Sequence, residues 1–214
     1  QGIAFLAVDP SRGQLLSALT ETPDSWERVK QGGYVGAVII VLGLLAFLLG
    51  VFRWGVVTFT SRKVMAQQKT ERLDTGNPLG RVLSVFEAHP EADAETLELK
   101  LDEVILRESS RLLRFQWLVK TVSVLAPLLG LLGTVTGMIQ TFQAITLFGA
   151  GDPKMMAGGI SEALVTTMLG LMTAIPLVLL YDTLANSTRR VMEILDEQSA
   201  GLIAERSERD SARA

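Results

Sequence analysis

Residues 126–137 read APLLGLLGTVTG, and residues 159–182 read GISEALVTTMLGLMTAIPLVLLYD. Both belong to apolar segments of membrane length, and both carry hydroxyls among small residues. The second also carries a carboxylate, Glu162. An ionisable group in such a segment costs about 2.5–3.5 kcal/mol on insertion scales, so its presence marks a functional candidate. A third segment, residues 35–52 (VGAVIIVLGLLAFLLGVF), is free of charge over eighteen residues. That is enough to cross a hydrocarbon core. Tyr34 and Trp54 flank it as interface aromatics do. Three such segments at this spacing predict an all-α integral membrane protein with three transmembrane helices, not the buried helices of a soluble bundle.

Composition agrees. The chain has 214 residues, of which 48% are hydrophobic and 20% charged, with a mean hydropathy of +0.33. It is too apolar for an ordinary soluble domain and too charged to lie wholly in a membrane. A net charge of −3 without a basic stripe argues against a nucleic-acid partner. With no cysteine, disulfides and thiolate metal sites are excluded. The chain opens with Gln1, which reads as processing or truncation, so an upstream signal or domain is expected.

Lysine and arginine set the orientation. The first 33 residues hold three, residues 53–120 hold eleven, the connection 146–159 holds only Lys154, and the tail after Ala185 holds five. This alternation predicts an N-out, C-in protein in which 53–120 and the tail are cytoplasmic. The expected divisions are an outer segment 1–33 and a first span 34–54. A cytoplasmic helical region 55–118 and a second span 119–146 follow. The rest is an outer connection 147–159, a third span 160–185, and a C-terminal helix and tail 186–214.

Within 1–33, Asp9-Pro10 and Thr22-Pro23 are helix-start signals, and Leu15, Leu16 and Leu19 form a short apolar stripe. Small outer helices and an ordered remnant of a cleaved linker fit equally. After Trp54 the first helix is expected to continue to about Asp74, where Thr75-Gly76-Asn77-Pro78 breaks it. His89-Pro90 is a second break. From about Asp93 one long helix is expected to run into the second span, with Leu97, Leu101, Val104, Ile105, Leu112 and Phe115 on one face. Val191, Ile194, Leu195, Leu202 and Ile203 predict a further helix that frays after about Glu205. These stripes can be buried only against each other or against neighbouring subunits. His89, the one histidine, sits between breakers with no metal-ligand companion. No phosphate loop, nucleophile elbow or HExxH occurs, so neither an enzyme nor a cofactor is expected.

In span two, Ala126, Gly130, Gly133, Thr134, Gly137, Thr141 and Ala144 recur at steps of three or four and make one small-residue stripe. In span three, Ala163, Thr167, Gly170 and Ala174 make a second. Glu162, Thr166 and Thr173 lie close to it, and Pro176 is expected to act as a hinge. Such stripes also serve simple helix packing, which is the plainer role of Gly130, Gly133, Gly137, Ala163 and Gly170. A single threonine usually bonds back to its own helix. Thr134, Thr166, Thr167 and Thr173 together, beside a carboxylate, point to a polar interior. Two small stripes with inward polar groups also predict a ring of chains, because a lone three-helix unit in lipid leaves them uncovered.

If the second helix leaves the membrane near Phe142 and the third enters near Ile160, Thr134 lies about eight residues from the outer boundary and Thr167 about seven. Both then sit ~11–12 Å below the outer boundary. Glu162 is near the outer mouth and Asp182 near the inner. Nothing titratable lies between them in the third span. A proton relay would need a carboxylate from a second protein at the threonine level.

LLGTVTG and GISEALVTTMLGL…AIP resemble the MotA/TolQ/ExbB proton-channel family, with glycines, threonines, glutamate and proline at the family's spacing. The three-span topology is similar to ExbB and TolQ; MotA stators have four spans. The outer segment DPSRGQLLSAL…QGG resembles the longer ExbB-like proteins of TonB systems. The resemblance implies a bacterial inner-membrane homopentamer around the single-span helices of two ExbD-like subunits, whose membrane aspartate carries the proton. It also implies a TonB-like partner. By resemblance, Thr134 and Thr167 form the polar level facing that aspartate, Glu162 serves conduction or assembly, and Thr166 and Thr173 line the path. Asp182 departs from the family's usual asparagine. Alternatives remain: a TolQ-type role in envelope maintenance, a passive membrane scaffold, and an ion-coupled transporter. The last is disfavoured because no inverted repeat or broken helix pair is visible.

Overall fold

The computed structural model describes residues 29–69, 73–149 and 153–213. The expected helices at Asp9-Pro10 and Thr22-Pro23 lie outside the described residues. Five α-helices are delimited: α1 (Gly33–Gln67), α2 (Pro78–Ala88), α3 (Ala94–Leu113), α4 (Gln116–Phe148) and α5 (Pro153–Arg213). No strand occurs among the described residues. Among the described residues three helices are long and apolar enough to cross a membrane, and the chain is a multi-pass membrane protein. In hydrocarbon the backbone must satisfy its own hydrogen bonds, and a helix does so within one segment.

The halves of the molecule differ in what they bury. In one, α1, α4 and α5 pack around Ala46, Val119, Val122 and Leu177. Leu44, Leu45, Leu48, Leu131, Val135, Leu164 and Leu171 remain exposed on the outside. In the other, Val64, Leu79, Val82, Leu97, Leu101, Ile105, Leu112, Val191 and Leu195 form one buried cluster, with Val104, Ile194, Leu202 and Ile203 against it. The apolar stripes of α3 and of the end of α5 therefore cover each other within one chain. Phe115 leaves this stripe and is 39% exposed. Glu108 is buried among these residues. Arg81 grips it with Nε at 2.9 Å and Nη2 at 2.6 Å, and Arg111 Nη1 adds a contact at 2.8 Å. The α2–α3 loop is tied to the far end of α5: Arg206 donates to the carbonyls of Pro90 (2.6 Å) and His89 (3.4 Å).

The first helix stops at Gln67, short of the expected Asp74. The Gln67 side-chain oxygen accepts from the Asp74 amide (3.1 Å) and from Asn77 Nδ2 (3.3 Å), which folds the chain back over the helix end. Asn77 then caps α2 by accepting from the Gly80 amide at 2.9 Å, with Pro78 at the first helical position. The return is so tight that a Cβ on Gly80 would lie 1.8 Å from the Asp74 carbonyl oxygen.

The expected single helix from Asp93 into the second span is corrected. It is two helices, broken at Arg114–Phe115, and Phe115 adopts a left-handed φ of 66°. That conformation is uncommon outside glycine. Distant side chains hold it. Arg53 Nη2 donates to the carbonyls of Arg111 (3.0 Å) and Leu112 (2.8 Å). Gln116 Nε2 donates to the Leu112 carbonyl (3.0 Å) and to Thr188 Oγ1 on α5 (2.6 Å). Two of the last carbonyls of α3, those of Arg111 and Leu112, orphaned by the break, are thereby satisfied. Arg53→Ala is expected to cost about 2 kcal/mol, the scale of a charged hydrogen bond lost. Thermal unfolding in detergent measures the loss, and faster amide exchange should be confined to the α3–α4 junction.

A separate C-terminal helix is also corrected. α5 is one helix of 61 residues that continues to Arg213 without fraying at Glu205. Its length is ~92 Å. It runs unbroken through Pro176.

Candidate functional site

The small residues of α4 and α5 face each other. A Cβ on Gly130 would lie 2.9 Å from the Thr166 carbonyl oxygen and 3.1 Å from Thr167 Cα. One on Gly137 would lie 2.5 Å from the Gly159 carbonyl oxygen, and one on Gly170 2.6 Å from that of Ala126. Gly133 receives the Thr166 side chain, and Ala163 sits against Gly137. At Gly130, Gly137 and Gly170 backbone meets backbone, the arrangement small residues permit. This corrects the argument for a ring: the two stripes cover each other inside one chain, so they do not by themselves require a second.

The hydroxyls divide between two faces of α5. Thr166 is buried against α4 and donates to the carbonyls of Glu162 and Ala163, both at 2.9 Å. Thr167 is half-buried. Its hydroxyl lies 3.2 Å from the Ala163 carbonyl and 3.4 Å from that of Gly130, across the helix pair. Thr134, also half-buried, donates to Leu131 at 2.6 Å. Each donor is therefore used within the chain, while the oxygen lone pairs stay available to accept. Thr173 points elsewhere, onto Gly43 of α1. With Phe47, Met172, Pro176 and Leu177 it lines an apolar cleft of about 360 Å³ between α1 and α5.

Glu162 also stands on the α1 side. Its Oε1 lies 2.5 Å from where a Cβ on Gly33 would be. Next to it, Ser161 donates to Gln31 Oε1 at 2.8 Å. The structure thus brings Thr166 and Thr167 together with Gly130 and Gly133, and sets Glu162 and Thr173 against the first helix. Asp182 is exposed.

One part of the site was missed from sequence. Gly32, Gly36, Ile39, Gly43, Ala46 and Gly50 form a buried seam on α1. Gly36 meets Leu169, Gly43 meets Thr173, and Gly50 meets Leu180 and Val119. The signal was there: these positions recur at alternating steps of four and three.

Along α4, no acid or base follows Lys120 up to Phe148, and along α1 none separates Tyr34 from Arg53. The spans therefore offer hydroxyls and, toward the two ends of the third, the carboxylates Glu162 and Asp182, but no continuous titratable path.

Comparison with known proteins bears on what this arrangement serves. Residues 63–197 match the MotA/TolQ/ExbB proton channel family. The ExbB-like 1 biopolymer transport protein of Synechocystis is 32% identical over 211 residues, covering 88% of this chain and 80% of its own length. The ExbB-like 3 protein of the same organism is 29% identical over 187 residues, covering 78% of this chain and 88% of its own. The Tol-Pal system protein TolQ of Haemophilus influenzae is 42% identical over 65 residues, 30% of this chain and 28% of its own. The matched segment holds both threonine-bearing helices, and the ExbB-like matches extend over most of the chain. The chain belongs to the MotA/TolQ/ExbB proton channel family and is ExbB-like.

Proposed function

We propose that this chain is the channel and motor subunit of an ExbB–ExbD-type complex in the bacterial inner membrane, where the proton motive force energises TonB-dependent outer-membrane transport. One observation carries the reading. Thr134 and Thr167 place hydroxyls within the apolar half, one of them astride the α4–α5 seam, yet the chain supplies no carboxylate at that level. A proton crossing here needs a carrier from another chain. The fitting partner is a single-span ExbD-like protein with a membrane aspartate, in two copies inside a ring of five. A TonB-like protein would receive the motion. Each charge moving down 100 mV releases about 2.3 kcal/mol, enough to drive a conformational cycle without ATP. In this reading the protein is not an enzyme, the bundle of α2, α3 and the end of α5 is cytoplasmic, and Pro176 is a hinge. The ring rests on the family likeness, since the small stripes no longer demand it.

A second reading, a TolQ-type role in envelope maintenance, is favoured by the local likeness to the Haemophilus protein. The test reconstitutes the chain with its single-span partner in liposomes and follows proton flux. Thr134→Val and Thr167→Val keep shape but remove the hydroxyl. Each is expected to preserve assembly and lower flux about tenfold, the effect of ~1.4 kcal/mol on a rate. Glu162→Gln is expected to lower flux with the ring intact. Wild-type flux in all three variants at equal protein would leave a passive scaffold as the better account.

A further inference from the structure

Gly33 stands at the start of α1 with φ +57°, in the left-handed region. Its missing side chain is replaced by another residue's: Glu162 Oε1 is 2.5 Å and Cδ 3.0 Å from the position a Cβ would take. The two residues before it are held against α5. Gln31 accepts from Ser161 at 2.8 Å, and the site of a Cβ on Gly32 is 3.0 Å from Leu169 Cδ1. Two separate demands therefore converge on residue 33. Its backbone conformation favours glycine, and the space at its Cα is filled by a carboxylate.

We propose that Gly33 is a positioning residue for Glu162: the bare Cα at the start of the first helix is the seat that fixes where this carboxylate lies. This deepens the reading in which Glu162 belongs to the proton pathway. It makes the first helix a part of the site. Any Cβ at position 33 evicts the carboxylate from its seat and sends it toward water at the helix end.

Carboxyl footprinting of the full-length protein in membranes tests this. Glycine ethyl ester is coupled by a water-soluble carbodiimide, and modification of Glu162 is read by peptide mass spectrometry. Gly33→Ala should raise the Glu162 labelling rate about fivefold, the change a ~1 kcal/mol shift in position preference produces. Gly33→Asn tolerates the left-handed backbone yet brings a Cβ, so it should give the same rise and serves if the alanine variant does not fold. Gly149 is the control. Its φ is +73° but nothing lies within 4 Å of its added Cβ, so Gly149→Ala imposes the backbone cost and should leave Glu162 labelling unchanged. Unchanged labelling in both Gly33 variants, or an equal rise in Gly149→Ala, overturns the proposal. Proton flux is measured in parallel. Raised labelling with undiminished flux keeps Gly33 as the positioning residue and removes Glu162 from the pathway.

Discussion

Gly170→Leu is expected to destabilise the three-helix unit by about 3 kcal/mol or more, whereas Gly201→Leu, in the same helix, leaves it intact. The difference lies in what each added atom meets. At Gly170 a Cβ would lie 2.6 Å from the Ala126 carbonyl oxygen and 3.3 Å from Gly130 Cα. These are backbone atoms of α4, which cannot rotate away as a side chain can, so the helices must separate. Separation would then open the facing contacts of Gly130 with Thr166 and Gly137 with Gly159. Overpacking costs typically about 1–3 kcal/mol, and leucine at a backbone contact belongs at or above the upper end. At Gly201 nothing lies within 4 Å, and leaving glycine in a helix gains up to ~1 kcal/mol. The two substitutions should therefore move the detergent unfolding temperature in opposite directions. Gly170→Ala should fall between them. An unfolding temperature for Gly170→Leu at or above wild type would contradict the packed seam.

The second large effect concerns the buried carboxylate of the bundle. Arg81→Ala removes the bidentate partner of Glu108, whose side chain is 3% exposed. Arg111 remains, but it is 61% exposed and offers one contact. A buried charge left under-paired costs about 3–5 kcal/mol. The surviving Arg111 bond sets the expectation near 3. Glu108→Leu should cost much less. It leaves two arginines that reach solvent, and Arg81 keeps its bond to the Thr75 carbonyl at 3.1 Å. Chemical denaturation of the two single variants and of Arg81→Met/Glu108→Leu measures the asymmetry. The double variant should be more stable than Arg81→Ala, because apolar replacement of a whole buried pair is often neutral or better. Glu108→Leu costing more than Arg81→Ala would show that attraction, not desolvation, governs the cluster.

Local chemistry made much of this legible in the sequence. The uncharged run 35–52 identified α1, Thr75-Gly76-Asn77-Pro78 marked the break that precedes α2, and the spacing of Leu97, Leu101 and Ile105 identified the buried face of α3. What escaped was set by distant parts of the chain. The break at Phe115 is held by Arg53, 58 and 59 positions away from the carbonyls it caps. No periodicity in α3 announces that donor. The side of α5 on which Glu162 lies depends on how three helices are arranged around one another, and that order is not written in any one of them. The unbroken run of α5 was readable: after Pro176 no proline follows, and the one glycine, Gly201, does not interrupt it. Counting residues along each span gave Thr134 and Thr167 a common expected depth, but their partition from Thr173 needed the position of α1.

The length of α5 has a mechanical meaning. One continuous rod joins the apolar half to the bundle, packing against α4 through Gly170 and against α3 through Val191 and Leu195. No loop along it can absorb a twist. If the apolar part turns about the rod's axis, the bundle receives the same turn, as a driven shaft delivers torque to its far end. The shaft is weakened at Pro176, which lacks the amide needed for the bond to the preceding turn. A bend at Pro176 would fall inside the apolar half, with the proline-free stretch beyond it reaching into the bundle.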